Sequence, residues 1–99
     1  VIRRIAIDAM GGDHAPTCVV EGVALAIERG HCSQGEMLLV GRTAEVAALL
    51  AKRGVQGVEI LDAPEVVGMD ESATTAIRSK KNSSIVVAMR AVAEGRAAA

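Results

Sequence analysis

Residues 1–16 read VIRRIAIDAMGGDHAP. An aliphatic run from Ile2 to Asp8 passes straight into two glycines, Gly11 and Gly12, then Asp13 and His14, and stops at Pro16. The aliphatic run predicts a strand. Gly11 and Gly12 predict a tight turn, because glycine alone adopts positive φ without steric cost and lets backbone approach a ligand. Beyond Pro16, the residues Val20, Val23, Ala24 and Ile27 fall at i, i+3, i+4 and i+7. That spacing is one face of a helix running to Arg29, with Gly30 placed to end it. Strand, glycine turn and helix in this order are the start of an α/β sheet.

The alternation continues down the chain. Glu36 to Val40, EMLLV, predicts a second strand closed by Gly41. Thr43 is placed to cap a helix in which Val46, Leu49 and Leu50 share a face, with Gly54 after it. Gly57 to Leu61, GVEIL, predicts a third strand. Residues 62–71, DAPEVVGMDE, have no period and read as a loop. Ser72 is placed to cap a short helix through Ala76 and Ile77 to about Ser79, which KKNSS interrupts. Ser83 or Ser84 then caps a last helix, with Ile85, Ala88, Met89 and Val92 on one face and Gly95 at its end.

Strands separated by helices of this length cannot form hairpins and imply right-handed crossovers in a parallel sheet. Three parallel strands leave long open edges, and parallel strands are normally buried on both faces. The last helix is therefore expected to lead into a fourth strand. Residues 1–99 are expected to be the amino-terminal part of a single larger α/β catalytic domain.

Composition narrows the function. The chain is 51% hydrophobic and 23% charged, which marks a globular protein. It has no Phe, Tyr or Trp, so Val, Ile, Leu, Met and Ala must build its core. A net charge of −1 gives no field for nucleic acid, and aromatic platforms for stacking bases are missing. No apolar run approaches the roughly 20 residues that span a bilayer. Arginines interrupt the first apolar segment, unlike a signal peptide. Cys18 and Cys32 lack metal-type spacing and read as free thiols of a reducing cytoplasm.

Three segments concentrate chemistry. In parallel α/β sheets, ligands gather beyond the carboxyl ends of the strands. The first such end is Asp8 to His14, where glycine backbone and the free amides of the next helix suit an anion. Asp8, Asp13 and His14 are then candidates to orient a polar ligand; the plain alternative is a tight turn with local hydrogen bonds. The pattern is neither G-x-G-x-x-G nor a P-loop, and no metal set is assigned. The second segment, IRSKKNSS, places Arg78, Lys80 and Lys81 before Asn82, Ser83 and Ser84 at a helix start. Cations beside capping hydroxyls and free amides suit a phosphate, whereas the plain alternative is a solvated helix end. The third, VVGMDES, carries Val66, Val67 and Met69 on a loop. They suit an acyl pocket, a fold-back onto the core or a subunit contact. Asp70, Glu71 and Ser72 read as helix N-terminal residues.

Taken together, RIAIDAMGGDHAP, LLVG, EVVGMDES and AIRSKKNSS resemble, in order, the amino-terminal third of the bacterial phosphate acyltransferases of phospholipid synthesis. The resemblance implies a three-layer α/β/α fold similar to phosphate acetyltransferases and isocitrate-dehydrogenase-like enzymes, of which this chain would supply the first βαβαβ part. It implies transfer of a fatty acyl group from acyl carrier protein to inorganic phosphate. The acyl phosphate so formed feeds a downstream glycerol-3-phosphate acyltransferase. It also implies a cytoplasmic homodimer, peripherally attached to the membrane through parts outside these residues, with no cofactor or metal. On this reading Asp13 and His14 are the candidate catalytic residues. Asp8, Gly11, Gly12, Lys80, Lys81, Asn82 and Ser83 are candidates for binding phosphate. Two other readings of the residues stay open: a non-catalytic phosphate- or nucleotide-binding α/β module, and an interaction fragment that exposes Val66 to Met69.

Overall fold

The computed structural model describes residues 4–65 and 80–99. Strand β1 spans Ile5–Asp8 and is followed by helix α1, Thr17–Glu28. A 3₁₀ turn, Gln34–Glu36, leads into β2, Met37–Gly41. Helix α2, Thr43–Lys52, connects to β3, Glu59–Asp62. Helix α3, Ser84–Ala93, follows residues 66–79, so the expected Ser72–Ser79 helix and the Val66–Met69 loop lie outside the described residues.

The strands form one parallel sheet in the order β1-β2-β3. Ile5 pairs with Met37 and Asp8 with Val40; Leu38 pairs with Glu59 and Gly41 with Asp62. β2 is central, and all five of its residues are buried. Its alternating side chains divide the core. Met37 and Leu39 join Val20 and Val23 of α1 and Val46 and Leu50 of α2. Val40, on the other face, joins Ala63 and Val87 of α3. Thus α1 and α2 cover one face and α3 the other, giving three layers.

The helices stop where glycines permit it. Gly30, Gly54 and Gly95 each stand two residues past the last helical residue, at φ +74°, +71° and +77°. The residue after each glycine bonds back to a carbonyl five positions earlier: His31 to Ala26, Val55 to Leu50 and Arg96 to Ala91. This is the Schellman pattern, in which a left-handed residue lets the chain satisfy the last carbonyls of a helix. Arg53, just past α2, reaches both Glu21 and Glu28 of α1.

Beyond Gly95 the chain returns to the sheet. Ala98 N–H donates to the Arg4 carbonyl at 2.7 Å, and Ala6 N–H donates to the Ala99 carbonyl at 2.8 Å. Both bonds run in the parallel sense, on the edge of β1 that β2 does not use. The spatial order is therefore β3-β2-β1-tail. The connections that step from β1 to β3 place their helices on one face. The connection that steps back past β1 places its helix on the other, as a single crossover handedness requires. The direction of stepping reverses beside β1. In open α/β sheets that reversal opens a crevice at the carboxyl ends of the strands, where ligands bind.

Candidate functional site at the carboxyl edge of the sheet

The Asp8–Pro16 segment divides into an anchored half and a presented half. Ala9 is fully buried and Met10 nearly so. The Ala9 amide donates to the Val40 carbonyl, which extends the sheet register by one residue. Met10 lies over the end of β2: a Cβ built on Gly41 would stand 3.0 Å from Met10 Cγ and 3.1 Å from its Sδ. Gly11, Gly12, Asp13 and His14 are all exposed. Gly12 has φ +99°, a backbone that side chains of L-residues rarely adopt.

Asp8 serves its own turn. Its Oδ1 accepts the Met10 amide at 3.0 Å, and its carbonyl accepts the Gly11 amide at 3.4 Å. Its Oδ2 would stand 3.2 Å from a Cβ on Gly11. Local hydrogen bonding of this kind is what Asp does in turns. One carboxylate oxygen, on a half-buried side chain, has no hydrogen bond of its own among the described residues.

Lys80–Ser84 is knitted to the chain after β3. Glu65 and Ser83 form a parallel bridge. The Glu65 amide donates to the Asn82 carbonyl at 3.2 Å, and the Ser84 amide donates to the Glu65 carbonyl at 3.1 Å. The Glu65 carboxylate accepts the Asn82 amide at 3.1 Å. Arg90 donates to the Lys81 carbonyl at 2.8 Å, so the turn is braced from the second turn of α3. Lys81 and Asn82 are exposed and Lys80 is half-buried. Ser83 is fully buried, and its hydroxyl has no partner among the described residues. α3 starts beyond the end of β3 and delivers the tail to the start of β1. Its N-terminus therefore lies at the same edge of the sheet as the Asp8–His14 turn.

Three of the described helices begin at this edge, and they begin differently. At α2 the Asp62 carboxylate, from the end of β3, accepts both the Thr43 amide at 3.2 Å and the Thr43 hydroxyl at 2.8 Å. That start is occupied by an acid of the chain itself. α1 and α3 have no side-chain cap, and neither has an acidic residue in its first turn. Neither start is wholly bare, since the Cys18 amide donates to the His14 carbonyl at 2.9 Å and the Ser84 amide to the Glu65 carbonyl. No side chain caps either, however, and the positive end of a helix dipole attracts anions. The two uncapped starts are those flanked by the candidate residues.

Sequence reasoning passed over Met10 and Asp62 here, and Glu36 at the opposite, amino-terminal edge of the sheet. Met10 and Asp62 are placed by partners at β2 and α2, and no local pattern announces either. Glu36 was legible: Ser33-Gln34-Gly35-Glu36 fits the S-x-x-E capping box, and Glu36 accepts both the Ser33 amide at 2.8 Å and its hydroxyl at 2.9 Å. Those two bonds hold the Glu36 carboxyl below its usual range. Among the described residues, no three His, Cys, Asp or Glu side chains cluster as a metal site would require, and no helix is long and apolar enough to cross a membrane.

Residues 3–99 match the family described as fatty acid synthesis protein. The chain belongs to that family. Among curated proteins of similar sequence is the phosphate acyltransferase of Heliobacterium modesticaldum, 52% identical over a 99-position alignment that covers 97% of this chain and 29% of that protein. The phosphate acyltransferase of Myxococcus xanthus is 50% identical over 97 residues, 97% of this chain and 27% of that protein. That of Levilactobacillus brevis is 48% identical over 94 residues, 95% of this chain and 26% of that protein. The chain thus spans less than a third of the length of these relatives.

Proposed function

We propose that this chain supplies the phosphate-binding edge of an acyltransferase of phospholipid synthesis, which moves a fatty acyl group from acyl carrier protein to inorganic phosphate. The observation that supports this most is the pair of uncapped helix starts at one sheet edge. One lies behind the exposed Gly11–Gly12 turn and the other behind Lys80–Ser83. Phosphate is an anion of the size that such amide groups hold.

In the reaction, an oxygen of hydrogen phosphate attacks the thioester carbonyl carbon. A C–O bond forms, the C–S bond breaks, and the proton of hydrogen phosphate passes to the departing thiolate. The products are an acyl phosphate and free acyl carrier protein. Orientation of two bound reactants lowers the barrier most in such a step, and amide donors also stabilise the carbonyl oxyanion. Asp13 and His14, exposed at the mouth of the turn, are assigned to orient the phosphate or take up its proton. Lys80, Lys81, Asn82 and Ser83 are assigned to the phosphate side.

The rest of this reading concerns the longer polypeptide. It acts as a homodimer in the cytoplasm, associates peripherally with the membrane, and passes its product to a glycerol-3-phosphate acyltransferase. The test uses the full-length polypeptide that carries this segment, with acyl-acyl carrier protein as donor. Thioester loss that depends on phosphate and yields acyl phosphate is expected, and Asp13→Ala with His14→Ala should reduce it while folding persists. Phosphate binding without thioester loss would instead make the chain a non-catalytic binding module.

A further inference from the structure

The helix α3, SIVVAMRAVA, carries one charged residue, Arg90. A helix that is apolar nearly all round belongs to an interior, not to a surface. Ser84, Val87 and Ala91 already face the sheet. Ile85, Met89 and Val92 form a second apolar stripe, spaced four and three residues apart, and are 38%, 57% and 39% exposed. Of the five large hydrophobic side chains exposed among the described residues, these are three, and the other two, Ile5 and Leu25, stand on different elements.

The topology says what covers the stripe. The tail at Ala98 and Ala99 extends the sheet past β1 in the parallel sense. A parallel strand there must be followed by a crossover helix if the sheet steps outward again. With one handedness throughout, that helix lies on the face α3 occupies, runs in the same direction as α3, and packs beside it at about 8–10 Å. In the relatives that match, more than two thirds of the polypeptide lies outside the matched region. We infer that the Ile85–Met89–Val92 stripe is the seat of the next crossover helix of the longer polypeptide, docked parallel to α3 through an apolar face. The inference rests on fold and family and is independent of the reaction proposed above.

The test is a photo-cross-linking residue at position 89 of the full-length polypeptide, read by mass spectrometry. The expected product joins position 89 to a segment of the same chain within about one βαβ unit, roughly 30 residues, after Ala99. A product joining two copies, a product with lipid, or no protein product would overturn the inference. Because a bulky residue at 89 can itself disturb packing, peroxide footprinting of the unsubstituted full-length chain is the second readout. Met89 should oxidise at least about tenfold more slowly in the native than in the denatured state. Equal rates would overturn the inference as well.

Discussion

The Asp62 carboxylate accepts two hydrogen bonds from Thr43, one from its amide and one from its hydroxyl, and so ties the end of β3 to the start of α2. Asp62→Ala should lower stability by about 1 kcal/mol, the typical loss when a helix cap is removed. Asp62→Asn keeps an acceptor oxygen and loses only the favourable charge at the positive end of the dipole, about 0.3–1 kcal/mol. Urea unfolding of the three proteins, read by circular dichroism, should rank them wild type, Asp62→Asn, Asp62→Ala from most to least stable. Equal midpoints for the wild type and Asp62→Ala would show that the bond contributes nothing.

Gly41 and Gly22 make opposite predictions for the same change. A Cβ on Gly41 meets Met10 at 3.0 and 3.1 Å and Val46 at 3.2 Å, whereas a Cβ on Gly22 meets nothing within 4 Å. Gly41→Ala therefore overfills the packed end of β2 and should cost about 1–3 kcal/mol. Gly22→Ala, in the interior of α1, should instead stabilise by about 0.5–1 kcal/mol through helix propensity. Thermal midpoints moving in the same direction would contradict the packing derived for Met10.

Gly12→Ala tests the presented half of the turn. At φ +99° the substitution strains the backbone although the space around it is open. A loss of about 1–3 kcal/mol is expected, a range set by the backbone alone. In the full-length polypeptide the same change should raise the phosphate KM, because the amides that follow it are re-aimed.

Ser83→Ala separates a structural hydroxyl from a binding one. Ser83 is the N-cap of α3 by position, yet it makes no cap hydrogen bond, and its buried hydroxyl has no partner among the described residues. The usual loss on removing a cap serine should therefore be missing, and stability should hold or rise by up to about 1 kcal/mol. If Ser83 serves phosphate in the full-length polypeptide, phosphate affinity should fall in the same variant. A stability loss without an affinity loss would assign the residue to the fold.

Glu36 gives the expected dependence on pH. The Ser33 amide, then the Ser33 hydroxyl, hold its carboxyl below the usual value of 4.5. A carboxyl depressed in the folded state binds fewer protons there than in the unfolded chain. Its stabilising contribution is thus complete above about pH 4.5 and is lost as pH falls through the depressed folded value. Carbon-detected NMR titration should find Glu36 titrating below 4.5. Ser33→Ala should move it back towards 4.5 by removing the hydroxyl bond, while the amide bond remains.

The elements legible from sequence were those with a local cause. Val20, Val23 and Ala24 marked the buried face of α1, and Gly30, Gly54 and Gly95 marked three helix ends within a residue of where the chain turns. Ala98 and Ala99 hydrogen-bond along β1, on the edge where the expected fourth strand would lie, while the described sheet has three strands. Strand starts were read too early. Of the run expected to be β-structure from Ile2, residues 1–3 lie outside the described residues, and β1 starts at Ile5 rather than Arg4. Glu36 belongs to the 3₁₀ turn, because its side chain is committed to Ser33. Thr43 was expected to cap α2 and is its first residue, because a carboxylate 19 positions away does the capping. Contacts of that range leave no mark in local spacing. Within the site, the exposed glycine turn followed from residue type, but the commitment of Asp8 to Met10 and of Glu65 to Asn82 depends on how two turns fold.

The bond from Ala6 to Ala99 closes a loop of almost the whole chain. During synthesis, β1 leaves the ribosome before the other described strands, and one of its edges stays without a neighbour until some ninety further residues have followed. Such an interval exposes main-chain donors and acceptors to any passing strand. A nascent chain arrested shortly after α3 should thus be the species most prone to self-association, and a holdase that shields strand edges should act on it at that stage.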